Sequence, residues 1–166
     1  MLASYYERKI LIISLLVIII DGVLIYYSPS YFNRISYLYP MLTVSLIPFI
    51  SINNKKKYYF YGIFLGIVYD LLYSNIFFYN VIIFILLISI DRIIIKYYKY
   101  SLFLFILLAI LNIVIYDSIS FLLIILTNYQ VVTINDLLYK ISHSLILNIL
   151  SVFVYWFLCK KSIIYA

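Results

Sequence analysis

Residues 101–127, SLFLFILLAILNIVIYDSISFLLIILT, carry a single charged side chain, Asp117, in an otherwise apolar run. As a helix this run would extend about 40 Å, more than the ~30 Å hydrocarbon layer of a bilayer. It therefore predicts a span that tilts or ends in an interfacial turn before Asn128. Such a segment belongs either to the core of a much larger protein or to a membrane. The rest of the chain supplies no water-facing shell, because 67% of its 166 residues are hydrophobic and 11% are charged. The expectation is an integral membrane protein.

A span needs roughly 17–25 apolar residues, and six runs meet or approach that length: approximately 10–27, 35–52, 58–73, 76–95, 101–127 and 141–158. The expected fold is all-α, a polytopic six-helix bundle forming one transmembrane domain over residues 1–166. Ser74 and Asn75 alone separate the third and fourth runs, which predicts a tight helical hairpin. Pro40 and Pro48 predict a kink in the second span, with the freed carbonyls satisfied by neighbouring helices. The longest connection, NYQVVTINDLLYK at 128–140, is expected to hold a brief interfacial helix starting near Thr133 or Asn135. The opening ERK followed by ILIISLLVIII imitates a signal peptide. The apolar run is long and no AxA-like cleavage site follows, so it reads as a retained first span.

Lysine and arginine positions set the orientation. Arg8, Lys9, Lys55, Lys56, Lys57, Arg92, Lys96, Lys99, Lys160 and Lys161 fall on one side of the six-span scheme, and only Arg34 and Lys140 on the other. That bias predicts cytoplasmic termini. Tyrosine pairs at 5–6, 26–27, 58–59 and 97–98 fall at the expected span ends, where amphipathic rings prefer to sit. The net charge of +6 lies in short clusters between apolar runs. It reads as topology signal and lipid-headgroup contact, above all at Lys55–Lys57, and not as a nucleic-acid surface.

Three acids interrupt apolar runs: Asp21, Asp70 and Asp117, in spans one, three and five. Counting residues from the cytoplasmic ends puts them in the outer half of the bilayer. An aspartate near a span centre costs about 2.5–3.5 kcal/mol, so each needs a partner, a water-filled pocket or a proton. Asn112, His143 and Asn148 are the nearest polar candidates by depth, and Arg34 or Lys140 can approach from outside. One reading is a polar cluster of Asp21, Asp70, Asp117 and Asn148 lining an outward cavity or contact surface; the other is hydration near the outer interface. Gly62, Gly66 and Asp70 share one helix face at four-residue steps. A GxxxG face admits close helix approach, either inside this bundle or by a partner.

His143 has no second ligand at metal spacing, and Cys159 reads as a passive residue at a helix end. Asp91 and Arg92 are expected to form a boundary ion pair. No nucleophile, metal-binding or phosphate-binding motif is present. No catalytic, cofactor or metal site is therefore expected, and a membrane enzyme ranks below the two readings that follow.

The segment YPMLTVSLIPFISINNKKKYYFYGIFLGIVYDLLYSNIFFYNVIIFILL, residues 39–87, resembles the bacterial rod shape-determining MreD family. Pro40, Lys55–Lys57, Gly62, Gly66, Asp70, Leu71 and Leu72 carry the likeness: a proline early in the second span, a basic turn, and GxxxGxxxD followed by a hydrophobic pair. A glycine that often follows this element has no counterpart in SNIFFYN. The resemblance implies a non-enzymatic, multi-pass subunit of the bacterial cytoplasmic membrane. It would act in cell elongation and peptidoglycan synthesis with MreC, the MreB filament and the peptidoglycan polymerase and transpeptidase. It also implies a fold similar to the substrate-binding components of energy-coupling-factor transporters. That supplies the alternative, a vitamin or small-molecule binding component of a transporter. Against it, span one lacks the alanines on which such components usually dock their coupling subunit.

Overall fold

The computed structural model describes residues 2–31, 41–52, 57–73, 78–127 and 133–163. Arg34, Pro40, Lys55, Lys56, Ser74, Asn75 and Asn128 lie outside them. The described residues form six helices and no strand: α1 (Leu2–Tyr31), α2 (Leu42–Ile50), α3 (Lys57–Tyr73), α4 (Tyr79–Tyr97), α5 (Leu102–Thr127) and α6 (Ile134–Ile163). Helices α5 and α6 are each long and apolar enough to cross a membrane.

The helices turn their polar residues inward and their apolar residues outward. On α6, Ser144, Asn148 and Ser151 are buried while Ile146, Leu150, Val154 and Phe157 are exposed. On α1, Ser14 and Asp21 face the interior, and Ile12, Leu16, Ile19 and Val23 form a stripe along the outside. A water-soluble helix shows the reverse pattern. Apolar solvent outside and hydrogen-bonded partners inside would account for this distribution.

Helix α2 occupies the centre. All nine of its residues are buried, and it packs against each of the other five helices. Phe49 stacks on Phe105 of α5 at 4.5 Å between ring centroids and meets Tyr155 of α6 edge-on at 5.8 Å. Nine residues rise only about 14 Å, so α2 is a half-length helix and not the continuous 35–52 span expected from hydropathy. The helix starts abruptly because Met41 leaves the helical conformation, at φ −132° and ψ 44°. Pro48 lies within it, and having no N–H it leaves the Val44 carbonyl without its usual intrahelical donor.

The remaining boundaries differ from expectation in two informative places. Helix α5 runs unbroken to Thr127, so of the two alternatives for this long run, tilting or ending in a turn, the turn is the one it does not show. A helix starts beside Thr133, as expected, but it is not a separate interfacial piece: residues 134–140 are the opening turns of a continuous α6. Thr133 and Asp136 form a reciprocal cap there. The Thr133 amide and hydroxyl donate to Asp136 Oδ2 at 2.7 and 2.8 Å, and the Asp136 amide points back to Thr133 Oγ1 at 3.4 Å.

Close approach of α3 to α4 depends on glycine. A Cβ at Gly66 would sit 2.5 Å from the Val81 Cα, and one at Gly62 would sit 2.4 Å from Ile88 Cδ1. The first clash is with backbone and the second with the end of a flexible side chain. Gly66→Ala should therefore lower stability by about 2 kcal/mol or more, and Gly62→Ala by about 1 kcal/mol or less, as compared by thermal unfolding in detergent.

Phe78, which precedes α4, is left-handed at φ 66°. Such a conformation costs a non-glycine residue roughly 1–2 kcal/mol. Because the Phe78 ring is largely exposed, little packing is lost on truncation. Phe78→Gly should be more stable than the parent by about 0.5 kcal/mol, whereas Phe78→Val should be less stable.

Candidate functional site

The polar residues of the interior converge on helix ends. Asp21 of α1 is completely buried and points at the start of α2. It accepts the Leu42 amide on Oδ1 at 3.0 Å, and the Thr43 amide and hydroxyl on Oδ2 at 2.9 and 2.6 Å. Asn148 of α6 completes the cap by accepting the Met41 amide at 3.3 Å. Helix α2 has no side-chain cap of its own, so two other helices supply it. A carboxylate is well suited to this place, because the N-terminal amides carry the positive end of the helix dipole.

Asp70 repeats the arrangement one hairpin later. From the carboxyl-terminal turn of α3 it accepts the Asn80 backbone amide at 3.0 Å and the Asn80 side-chain amide at 2.8 Å, both in the first turn of α4. Asn80 Oδ1 in turn accepts the Tyr116 hydroxyl of α5 at 2.8 Å. Gly62, Gly66 and Asp70 thus form one face, and α4 covers all of it. Of the two readings of this face, packing inside the bundle is the one the helix pair displays.

Asp117, the third acid, pairs with Lys140 of α6 at 2.8 Å, the carboxylate fully buried and the ammonium side chain 31% exposed. In each hairpin, then, an aspartate of the first helix is bound to the opening turns of the second. Asp70 and Asp117 both lie near the hydroxyls of Tyr79 and Tyr116, which joins the second and third hairpins.

Further ties run between the same helices. Tyr73 of α3 donates to the Ile18 carbonyl of α1 at 2.6 Å, passing so close to Gly22 that a Cβ there would overlap the tyrosine oxygen. Ser45 and Ser151 share a hydrogen bond of 2.7 Å between α2 and α6, and Tyr79 and Ser120 share one of 2.5 Å between α4 and α5.

The four residues expected to form an outward polar cluster are thus placed at the beginnings of α2, α4 and α6. Asp21 and Asn148 meet at the start of α2, and all four are bound to other residues of the chain. Lys140 approaches Asp117, as its position suggested. His143 does not reach an acid; its Nδ1 lies 2.8 Å from the Tyr139 carbonyl and its ring packs on the Tyr139 ring. The expected Asp91–Arg92 boundary pair is also corrected. Asp91 is buried and accepts from Asn112 at 2.9 Å, and Arg92 lays its guanidinium 3.9 Å from the centroid of the Tyr58 ring. Asn112 is therefore bound to Asp91 and not to one of the outer acids.

Thr43, Asn80, Tyr116, Tyr73 and Gly22 escaped the sequence reading. A signal for two of them is present: Thr43 and Asn80 are polar residues in the first turn of an apolar run, each following a run that contains an aspartate. Nothing in the local sequence distinguishes Tyr116 and Tyr73 from the other nineteen tyrosines.

Among the described residues, no group of three or more His, Cys, Asp or Glu side chains is placed to hold a metal ion. No family model matches the chain, and neither does any curated protein or solved structure compared with it.

Asp21→Ala would remove a charge-assisted acceptor and leave two buried amides and a hydroxyl without partners. A loss of about 3 kcal/mol or more is expected, with Asp21→Asn intermediate because one carbonyl acceptor remains. Thermal unfolding of the two variants against the parent checks the order.

Proposed function

We propose that this chain is a non-enzymatic, multi-pass membrane subunit that acts as a scaffold for cell-shape and cell-wall synthesis machinery of the MreD type. The observation that carries the reading is the use of the interior polar groups. Asp21, Asp70, Asp117 and Asn148 are all engaged with other residues of the chain, so the bundle spends its polar chemistry on its own assembly. What it offers to other molecules is the apolar exterior of its helices and the short connections between them.

On this reading all six helices lie in the cytoplasmic membrane of a bacterium, with both termini in the cytoplasm. The half-length α2 is held in the interior and shielded from lipid by the other five. The support is the inward-polar, outward-apolar pattern of α1 and α6, the length and apolar character of α5 and α6, and the ten-to-two distribution of basic residues. The likeness of residues 39–87 to the MreD pattern points to MreC as partner, with MreB and the peptidoglycan polymerase and transpeptidase reached directly or through it. Because α4 occupies the Gly62, Gly66 and Asp70 face, a partner's membrane helix would pack on the outward stripes instead.

The transporter reading fits less well. A ligand-binding role for Asp21 would require its carboxylate to leave three donors at the start of α2, two of them buried amides.

Two measurements on one strain separate the readings. Depletion of the protein should round the cells, and a tagged copy should recover MreC from detergent extracts. Unaltered morphology, together with a vitamin or other small molecule copurifying in stoichiometric amount, would overturn the scaffold assignment. An outward substitution such as Leu150→Trp should weaken MreC recovery if α6 is the contact helix, while leaving membrane insertion intact.

A further inference from the structure

The fourth buried acid, Asp91, does not share the logic of the other three. Among the described residues, Asp21 meets three donors at the start of a helix; Asp70 meets two donors of Asn80 on Oδ1, its Oδ2 having no hydrogen-bond partner; and Asp117, with no other partner, has its Oδ1 2.8 Å from an ammonium group that can offset its charge. Asp91 has one bond of normal geometry, from Asn112 Nδ2 to its Oδ2 at 2.9 Å. Both residues are completely buried, and two atoms are left over: Asp91 Oδ1 and Asn112 Oδ1, neither with a hydrogen-bond partner. If Asp91 is a carboxylate, both leftover atoms are acceptors and neither can serve the other.

Among the described residues, the surrounding groups do not supply both missing partners. The Ser51 hydroxyl, at the carboxyl end of α2, comes close to Asp91 and lies 3.0 Å from the Ile47 carbonyl; its one proton can serve only one of them, and turned to Asp91 it would still leave Asn112 Oδ1 without a donor. From α3, Tyr59 shares a hydrogen bond of 3.3 Å with Ser89, and Tyr58 lies under the Arg92 guanidinium. Arg92 is the cation nearest in sequence, and it is drawn to that ring, away from the interior. An ionised carboxylate with one neutral donor is among the costliest groups to bury, and each orphaned acceptor adds roughly 1–3 kcal/mol.

We propose that Asp91 is a buried proton-binding site, a neutral carboxylic acid paired with the Asn112 carboxamide between α4 and α5. A single proton taken from solvent as the chain folds converts Asp91 from acceptor to donor. The acid O–H is then directed to Asn112 Oδ1, while Asp91 continues to accept from Asn112 Nδ2. A carboxylic acid and a carboxamide each present one donor and one acceptor, so both leftover atoms are satisfied by one proton, with no charge left in the interior. The pair ties α4 to α5 beside Ser51 at the carboxyl end of α2, whereas Asp21 lies at its amino end.

The proposal separates Asp91 from Asp21 in how they tolerate amide replacement. Asn at 91 keeps one donor and one acceptor in nearly the same places, so Asp91→Asn should unfold within a few degrees of the parent, while Asp91→Ala should be clearly less stable. Infrared difference spectroscopy of the purified full chain in detergent at neutral pH, parent minus Asp91→Asn, tests the proton itself. The expected result is the C=O stretch of a protonated carboxylic acid, shifting in D2O. In Asn112→Leu the band should persist and move to higher frequency as its hydrogen bond is lost. Loss of carboxylate bands instead would overturn the proposal, because it would mean an ionised Asp91 served by a buried water or a bound cation. Failure of Asp91→Asn to fold would also overturn it, since the amide meets the same donors and acceptors as the acid.

Discussion

The first turn of a helix carries N–H groups that its own backbone cannot satisfy, and in α2 those groups lie in the middle of an apolar bundle. Met41, Leu42 and Thr43 are all buried, and no side chain of α2 caps them. Their partners have to come from other helices. Asp21 therefore fixes where α1 crosses α2, and Asn148 fixes where α6 does. Once those crossings are set, Ser45 meets Ser151, and Phe49 falls between Phe105 and Tyr155. The placement of the central helix follows from the need to satisfy three amides.

The same constraint explains why acids occur in apolar helices at all. An aspartate is costly in such a place when solitary, but the amino end of a neighbouring helix offers it amides and a favourable dipole. Asp21 and Asp70 use that opportunity directly, and Asp117 uses a lysine in the second turn of α6. The glycines belong to the same construction. Gly66 lets α4 come close enough for Asn80 to reach Asp70, and Gly22 lets the Tyr73 hydroxyl reach the α1 backbone. Close approach and carboxylate capping are two halves of one joint. A bundle assembled in this way turns most of its polar groups inward, to partners within the chain, and leaves its outer faces apolar.

Much of this was legible in the sequence, and the failures have physical reasons. Helices α3 and α5 fall within a residue or so of the apolar runs at 58–73 and 101–127, because there hydropathy and helix length coincide. The second run, 35–52, misled because hydropathy reports how apolar a segment is and says nothing of where its backbone turns; the break at Met41 is set by a carboxylate twenty residues earlier. The shared face of Gly62, Gly66 and Asp70 was readable from four-residue spacing, but the identity of what covers it depends on which helix lies opposite. Asp91 looked like a boundary residue because Arg92 and Lys96 follow it. On a helix, however, adjacent residues point about 100° apart, so Asp91 faces inward while its basic neighbours face away. Lys140, by contrast, was one of two cations expected near the three acids; depth and charge sign narrowed the choice, and the structure pairs it with Asp117.

The central claim is that carboxylate and amide side chains of other helices hold the buried amino end of α2. Site-resolved hydrogen–deuterium exchange at the amides of Met41, Leu42 and Thr43, followed in the parent and in Asp21→Ala, addresses it most directly. Strong protection of Leu42 and Thr43 in the parent, lost in the variant while the amides of α5 remain protected, is the predicted result. Rapid exchange of those amides in the parent, or equal protection in both proteins, would contradict the account.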